Sequence, residues 1–176
     1  MTFRPGDHVV YPTYGAGTVT SLEDRVFAGT STRYYILNMV ADEGTFMVPV
    51  EQADALGLRP VVEKGYIEVV LQAPFETLSD DYKERQLNIE KLISTSDAEQ
   101  LAIGARNLAW FAGSHNLTGR DMQLYENLQT QLASELSLVE DISLATAREN
   151  LSQLLAAIAE QAALAAAALE DLLEEE

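Results

Sequence analysis

Short runs of alternating apolar and polar residues fill the first third of the chain, and turn-forming residues separate them. Such runs occur at residues 8–12, 17–22, 33–40 and 45–49. Six of the ten glycines and four of the five prolines lie within residues 1–62, where they end strands and allow tight turns. Four or five strands in about fifty residues predict a small SH3/Tudor-like β-barrel, because closure removes the exposed edges of so small a sheet.

After Pro60 the apolar spacing becomes helical. The segments with this spacing are 63–72, 80–93, 96–113, 118–136 and 143 onward. Ser96 and Glu99 predict a capping box at the start of the third helix, Thr118 opens the fourth, and Ser143 can cap the fifth. The pattern therefore predicts an α+β fold, with a β-module over residues 1–62 and an all-helical domain over residues 63–176 that ends in a long alanine-rich helix.

The last helix carries apolar residues in a heptad pattern. The positions are Leu151, Leu155, Ile158, Ala162, Ala165, Leu169 and Leu172. Such a stripe is typical of a helix that packs inside its own bundle, and it also suits a helix that binds a partner or dimerises. Both interpretations remain open from the sequence.

The formal net charge of −17 is distributed unevenly. Residues 1–62 carry four basic and seven acidic residues, whereas the rest of the chain carries seven basic and 21 acidic residues. A field of this sign repels phosphate, so charge alone argues against a nucleic-acid binder. The chain has no cysteine and no apolar signal segment at its start, and Glu160, Glu170 and Asp171 interrupt the alanine-rich stretch. We therefore expect a cytoplasmic protein that does not enter a membrane.

Enzyme motifs are absent from the sequence. No glycine-rich loop has the ending of a P-loop, and no nucleophile elbow occurs. His8 and His115 lack metal-ligand spacing and are predicted to be surface residues, and Asp80 and Asp81 are predicted to begin a helix. We expect a protein without catalytic activity, metal or cofactor.

The N-terminal motifs resemble the polymerase-interacting module of CarD/CdnL-family transcription regulators, which the transcription-repair coupling factor shares. The matching runs are residues 3–12, 14–17, 34–37, 47–49 and 57–59. The resemblance continues more weakly to about residue 160, and residues 161–176 form an acidic helical extension beyond it.

This resemblance implies that the β-module docks on the β subunit of RNA polymerase through an exposed sheet edge and a few side chains. Arg25 matches a polymerase-contacting arginine of the family, and Met47 matches a second contact position. The implied polymerase-binding residues are Arg25, Tyr34, Met47, Val48 and Pro49.

The resemblance also implies that the helical domain holds promoter DNA at the upstream edge of the open bubble, with a tryptophan wedge and nearby cations. Here Asp81 or Tyr82 occupies the tryptophan position, and Lys83 and Arg85 are the nearby cations. The implied DNA-binding residues are therefore Tyr82, Lys83 and Arg85. Trp110 and Phe111 replace a usually basic stretch, either as core residues or as a base-stacking platform.

These features together predict a bacterial transcription regulator that docks on the polymerase β subunit and modulates promoter open complexes. Promoter DNA is expected to bind only weakly, or when the protein is tethered to polymerase, which would also associate the protein with the nucleoid. In one alternative, the polymerase-docked protein is an adaptor whose acidic helical domain binds another protein through its helices. In a second alternative, the chain is an acidic interaction module unrelated to transcription.

Overall fold

The structure, a computed structural model, describes residues 2–12, 14–42 and 44–174, without the side chains of Phe27 and residues 169–174. The strands are β1 (His8–Tyr11), β2 (Gly15–Phe27), β3 (Thr30–Met39), β4 (Thr45–Pro49) and β5 (Arg59–Pro60). The helices are α1 (Tyr66–Gln72), α2 (Tyr82–Thr95), α3 (Ala98–Ala112), α4 (Gly119–Glu140) and α5 (Leu144–Glu174). The predicted α+β layout is confirmed.

The five strands form one antiparallel sheet in the order β4-β3-β2-β1-β5. A short 3₁₀ turn at Val50–Gln52 follows β4 and leads back toward β5, which pairs with β1. The β2–β3 hairpin is longer than the apolar alternation predicted, since its outer end carries polar residues. Ala28 and Gly29 close that hairpin, and both have positive φ, at 50° and 83°.

Each half of the chain has its own hydrophobic core. The core of the β-module forms around Val9, Val19, Tyr35, Leu37 and Val48, all fully buried. The hydroxyl oxygen of Tyr35 also accepts a hydrogen bond from the backbone N–H of Phe3, at 3.1 Å. The buried side chain thus ties the start of the chain to the centre of the sheet.

The helical core centres on α3, which packs against all four other helices. Leu151 and Leu155 of α5 are buried in this core, and Ala162 is buried one turn beyond Ile158. A Cβ atom at Gly113 would lie 2.3 Å from the carbonyl oxygen of Ala159, so glycine lets the end of α3 meet α5 closely. The bundle interpretation of the heptad pattern is therefore confirmed for the first part of α5.

The later part of α5 leaves the bundle. Ala165 is exposed and Leu164 is 65% exposed, while the heptad positions Leu169 and Leu172 lie outside the described side chains. Residues Leu144–Ala168 are long and apolar enough to cross a membrane by length and composition. Because Leu151 and Leu155 of this segment belong to the helical core, we assign its first half to the bundle.

Three of the predicted helix starts differ from the structure, and α2 begins at Tyr82 rather than at residue 80. Gly65, with a φ of 83°, stands at the N-cap of α1, so that helix begins at Tyr66 rather than at residue 63. Ser96 ends α2 in the left-handed conformation, and Asp97 caps α3 by accepting a hydrogen bond from the Gln100 N–H. The predicted capping box at Ser96 is therefore wrong, because a short aspartate one residue later occupies the cap.

The two other predicted caps are confirmed. Thr118 and Asp121 form a reciprocal capping box at the start of α4. The N–H of Thr146 donates to the Ser143 hydroxyl at 3.0 Å, which caps α5. Both caps satisfy backbone donors that the first turn of a helix leaves unpaired.

A partly buried ion pair joins the β-module to the helical domain. The guanidinium of Arg59, in β5, donates to both carboxylate oxygens of Glu135 in α4, at 2.7 and 2.8 Å. Glu135 is only 1% exposed, and it also accepts the Val62 N–H at 2.9 Å. Arg59 Nε donates to the Ser96 carbonyl at 2.8 Å. The pair thus links the last strand, the linker to α1, the α2–α3 junction and α4.

A second contact between the two halves involves the start of β2. The Ala16 N–H donates to the Ser134 hydroxyl at 2.9 Å. Gly15 has a φ of 84°, and a Cβ atom there would lie 2.6 Å from that hydroxyl oxygen. A glycine is required because both its backbone conformation and the closeness of α4 exclude a side chain.

We predict that Glu135→Gln lowers the free energy of unfolding by about 2–3 kcal/mol, because it leaves the Arg59 guanidinium without its carboxylate in a partly buried site. Urea unfolding followed by circular dichroism measures the change. Asp24→Asn is the matched control, since it breaks the exposed bidentate pair between Asp24 and Arg33 and should leave the midpoint nearly unchanged. Equal destabilisation of the two variants would contradict a special role for Glu135.

Candidate functional site

The strand register places four of the five predicted polymerase-binding residues on one face of the sheet. Arg25 pairs with Thr32, Tyr34 with Pro49, and Ile36 with Met47. Residues 32, 34 and 36 are two positions apart along β3, so their side chains point to the same side of the sheet. The side chains of their cross-strand partners point to that side as well. Arg25, Tyr34, Met47 and Pro49 therefore form one surface, here called the outer face.

The outer face is accessible and partly apolar. The Arg25 side chain is 58% exposed and Met47 is 45% exposed, while Tyr34 and Pro49 are partly buried. Arg25 forms an ion pair with Glu23, two residues earlier on the same face. An exposed pair of this kind is weak, so a carboxylate on a partner can replace Glu23 at little cost.

Val48 points away from the outer face. Its side chain is fully buried in the core of the β-module. The Val48 side chain is therefore not accessible to a partner in this structure, because alternation along β4 turns it toward the core. Its backbone remains available, because β4 is the last strand in the sheet order and pairs with β3 alone within the described residues.

The predicted DNA-binding residues lie at the start of α2. Tyr82 is the first residue of the helix and is 50% exposed, and Asp81 caps the helix by accepting the Lys83 N–H at 2.8 Å. The Lys83 ammonium lies 5.9 Å from the centre of the Tyr82 ring. Tyr82 and Lys83 are thus adjacent and accessible, as a stacking residue and a nearby cation need to be.

Arg85 does not belong to this exposed pair. It is 3% exposed, and its Nη2 and Nε atoms lie 2.7 and 3.3 Å from the carboxylate oxygens of Asp121, which is itself 1% exposed. Arg85 also donates to the Ser79 carbonyl at 2.7 Å and lies 4.4 Å from the centre of the Phe111 ring. The Arg85 side chain is therefore already paired inside the helical domain, and in this structure it does not present its charge to a phosphate.

The two aromatic residues at the end of α3 are not equivalent. Phe111 is 7% exposed and is a core residue, with the exposed His115 ring stacked at 4.2 Å. Trp110 is only partly buried, and its ring lies 3.4 Å from that of Phe75 in a stacked arrangement. The sequence did not identify Phe75, which lies in the loop between α1 and α2.

Neither histidine belongs to a metal-binding group. His8 and His115 are both exposed, as predicted. The residues that the structure describes contain no cluster of three or more metal-ligating side chains. The outer face of the sheet and the start of α2 are the two surfaces where predicted site residues lie together and are accessible.

Two protein-family models match the chain in succession. The first, described as the CarD-like/TRCF RID domain, matches residues 3–62, and the second, described as the CarD C-terminal domain, matches residues 67–152. The chain is also 26% identical over 145 residues to a Bacillus subtilis (strain 168) protein named "Putative transcription factor YdeB". That alignment covers 80% of this chain and 94% of the relative.

The Arg85–Asp121 pair predicts a pH dependence of stability. Burial alone would raise the pKa of Asp121, but hydrogen bonds from Arg85 and Thr118 lower this pKa from 3.8 to about 2. The carboxylate therefore stabilises the fold fully above pH 3.8, and this contribution is lost as the pH falls through about 2. The shift corresponds to about 2 kcal/mol.

Asp121→Asn should therefore destabilise the protein by at least about 2 kcal/mol at neutral pH, and the deficit should shrink as the pH approaches 2. Urea unfolding of both proteins across this range measures the difference. A deficit that stays constant down to the lowest pH would show that Asp121 does not titrate as its environment requires.

Proposed function

The chain belongs to the CarD family of transcription regulators, whose N-terminal domain interacts with RNA polymerase, and we propose that it docks on the polymerase β subunit and modulates promoter open complexes without catalysing a reaction. The observation that carries this proposal is the outer face, where Arg25, Tyr34, Met47 and Pro49 stand beside an edge strand. A protein with this role works in the cytoplasm, on the nucleoid, wherever polymerase opens promoters.

Docking would combine backbone and side-chain contacts. An extended segment of the β subunit can add to the free edge of β4, because that edge offers unpaired N–H and carbonyl groups. Met47 and Pro49 would supply apolar contacts beside the added strand, and Arg25 would exchange Glu23 for an acidic partner group. In this arrangement Val48 contributes only its backbone.

We predict that Arg25→Glu weakens binding to RNA polymerase by about 1–3 kcal/mol, the range typical of removing one charge-assisted hydrogen bond from an interface. Biolayer interferometry with purified polymerase measures the affinity. Arg33→Glu is the matched control, because Arg33 is equally exposed on the neighbouring strand and its partner Asp24 lies on the opposite face from Arg25. Equal weakening by both substitutions would indicate a general charge effect and would contradict the proposed face.

Contact with promoter DNA would depend on the polymerase. Of the three predicted DNA-binding residues, only Tyr82 and Lys83 are accessible, because Arg85 is paired with Asp121. The residues after 62 also carry an excess of 14 acidic over basic residues, whereas phosphate binding needs several cations. Tethering to polymerase raises the local concentration and would let Tyr82 stack at the edge of the open bubble.

A second candidate function follows from the same shortage of free cations. The helical domain would then bind another protein while the β-module holds polymerase. The exposed part of α5, with Leu164 at its surface, favours this candidate. The two candidates differ in whether Tyr82 affects the open complex.

We predict that Tyr82→Ala shortens the lifetime of promoter open complexes only when the protein is bound to polymerase, because free duplex should bind weakly at physiological salt. Competitor-challenge assays on open complexes measure the lifetime, and a salt titration of forked DNA measures binding by the free protein. Tyr66→Ala, at another partly exposed tyrosine of the helical domain, is the control and should leave the lifetime unchanged. An unchanged lifetime in Tyr82→Ala would favour the protein-binding candidate.

A further inference from the structure

A cleft of about 570 Å³ opens on the helical domain, away from the residues assigned to polymerase or DNA. It lies between the end of α1, the loop that follows, α3 and α5. The residues that matter for its chemistry are Phe75, Arg106, Trp110, Leu154, Ile158 and Gln161. Its volume is in the range of sites for small molecules.

Arg106 places a buried cation at this cleft. It is 5% exposed, and within the described part of the chain no ion pair involves it. Its Nη1 donates to the Val70 carbonyl at 2.9 Å, and Nε and Nη2 share the Asn107 side-chain oxygen at 3.3 and 3.2 Å. Those acceptors are neutral, and they engage three of the five N–H groups that a guanidinium carries.

The other arginines that lie between elements of the fold differ in this respect. Arg59 is paired with Glu135, and Arg85 is paired with Asp121. Burial lowers the pKa of Arg106. The negative charge of Glu76 raises this pKa, but by its charge alone and not through a hydrogen bond. A guanidinium remains charged in proteins, so burying it without a counterion is costly. The positive charge of Arg106 therefore favours binding of a negatively charged group in the cleft.

The walls of the cleft are apolar and held in place. Phe75 stacks on Trp110, and Asn107 accepts the Glu76 N–H at 3.1 Å, which fixes the loop that carries Phe75. Leu154 and Ile158 of α5 supply an aliphatic surface opposite. An apolar body placed here would gain hydrophobic contacts on both sides.

We propose that this cleft binds a small monocarboxylate with an aromatic or branched apolar body. The carboxylate would accept the remaining N–H groups of Arg106, and the body would pack between the Phe75–Trp110 pair and α5. A monocarboxylate suits this site because its single charged group is small enough to approach an arginine that is only 5% exposed. Phosphate is less favourable than a monocarboxylate, because it can carry two negative charges. Glu76 and the net charge of −17 oppose the second of these charges.

Trp110 is the single tryptophan of the chain, so its fluorescence reports on the cleft directly. The full-length protein is titrated with 3-phenylpropanoate and with 3-phenylpropanamide, which has nearly the same shape and no charge. The indole N–H resonance of Trp110 follows the same titrations by NMR. We expect saturable binding of the acid, and binding of the amide weaker by about tenfold or more.

Two variants at the cleft rim test the charge without disturbing the core. Gln161 is exposed on α5 and lines the cleft. Gln161→Glu should weaken binding of the acid by several-fold, and Gln161→Lys should strengthen it, with unchanged circular dichroism in both. Arg106→Gln should abolish the preference for acid over amide. Equal binding of acid and amide, or no response of Trp110 to either, would overturn the proposal.

Discussion

The ion pair between Arg59 and Glu135 determines how the two halves of this protein are joined. Glu135 is buried in the C-terminal part of α4, where a carboxylate is stable only with a cation and further donors around it. Arg59 and the Val62 N–H meet that requirement, and both lie where the chain leaves the sheet. The end of the β-module is therefore fixed on the helical domain.

This constraint links the two candidate surfaces through defined contacts. The outer face lies on β2, β3 and β4, and β2 itself meets α4 where Ala16 donates to Ser134. Tyr82 is the first residue of α2. At the other end of this helix, the carbonyl of the C-cap residue Ser96 accepts a hydrogen bond from Arg59. A protein docked through the outer face would thus hold Tyr82 at a definite distance from the polymerase.

Pairing of charges inside the fold also limits what the surface can bind. In sequence, Arg85 looks like a phosphate-binding cation beside Lys83. In the structure it holds the start of α4 through Asp121, so its charge is not available to a nucleic acid. Arg106 is the exception, since its buried charge forms no ion pair among the residues that the structure describes, and this difference marks the cleft beside Trp110.

The sequence predicted what depends on local spacing. Alternation identified the strands, helical periodicity identified the five helices, and the cap at Thr118 followed from side-chain chemistry. The same alternation, applied along β4, also places the Val48 side chain on the opposite side of the strand from Met47 and Pro49. Contacts between distant residues could not be predicted in the same way. Asp121 lies 36 residues after Arg85, and Glu135 lies 76 residues after Arg59, so no local pattern indicates which acidic residue each arginine meets. The stack of Phe75 on Trp110 was missed for the same reason.

The proposed polymerase-binding surface consists of β4 and the outer face. It can be tested by hydrogen–deuterium exchange of the full chain, with and without RNA polymerase. We expect polymerase to slow exchange across residues 45–49 and around Arg25, because an added strand would pair the free amides of β4. Protection confined to α4 and α5, with β4 exchanging as in the free protein, would contradict it.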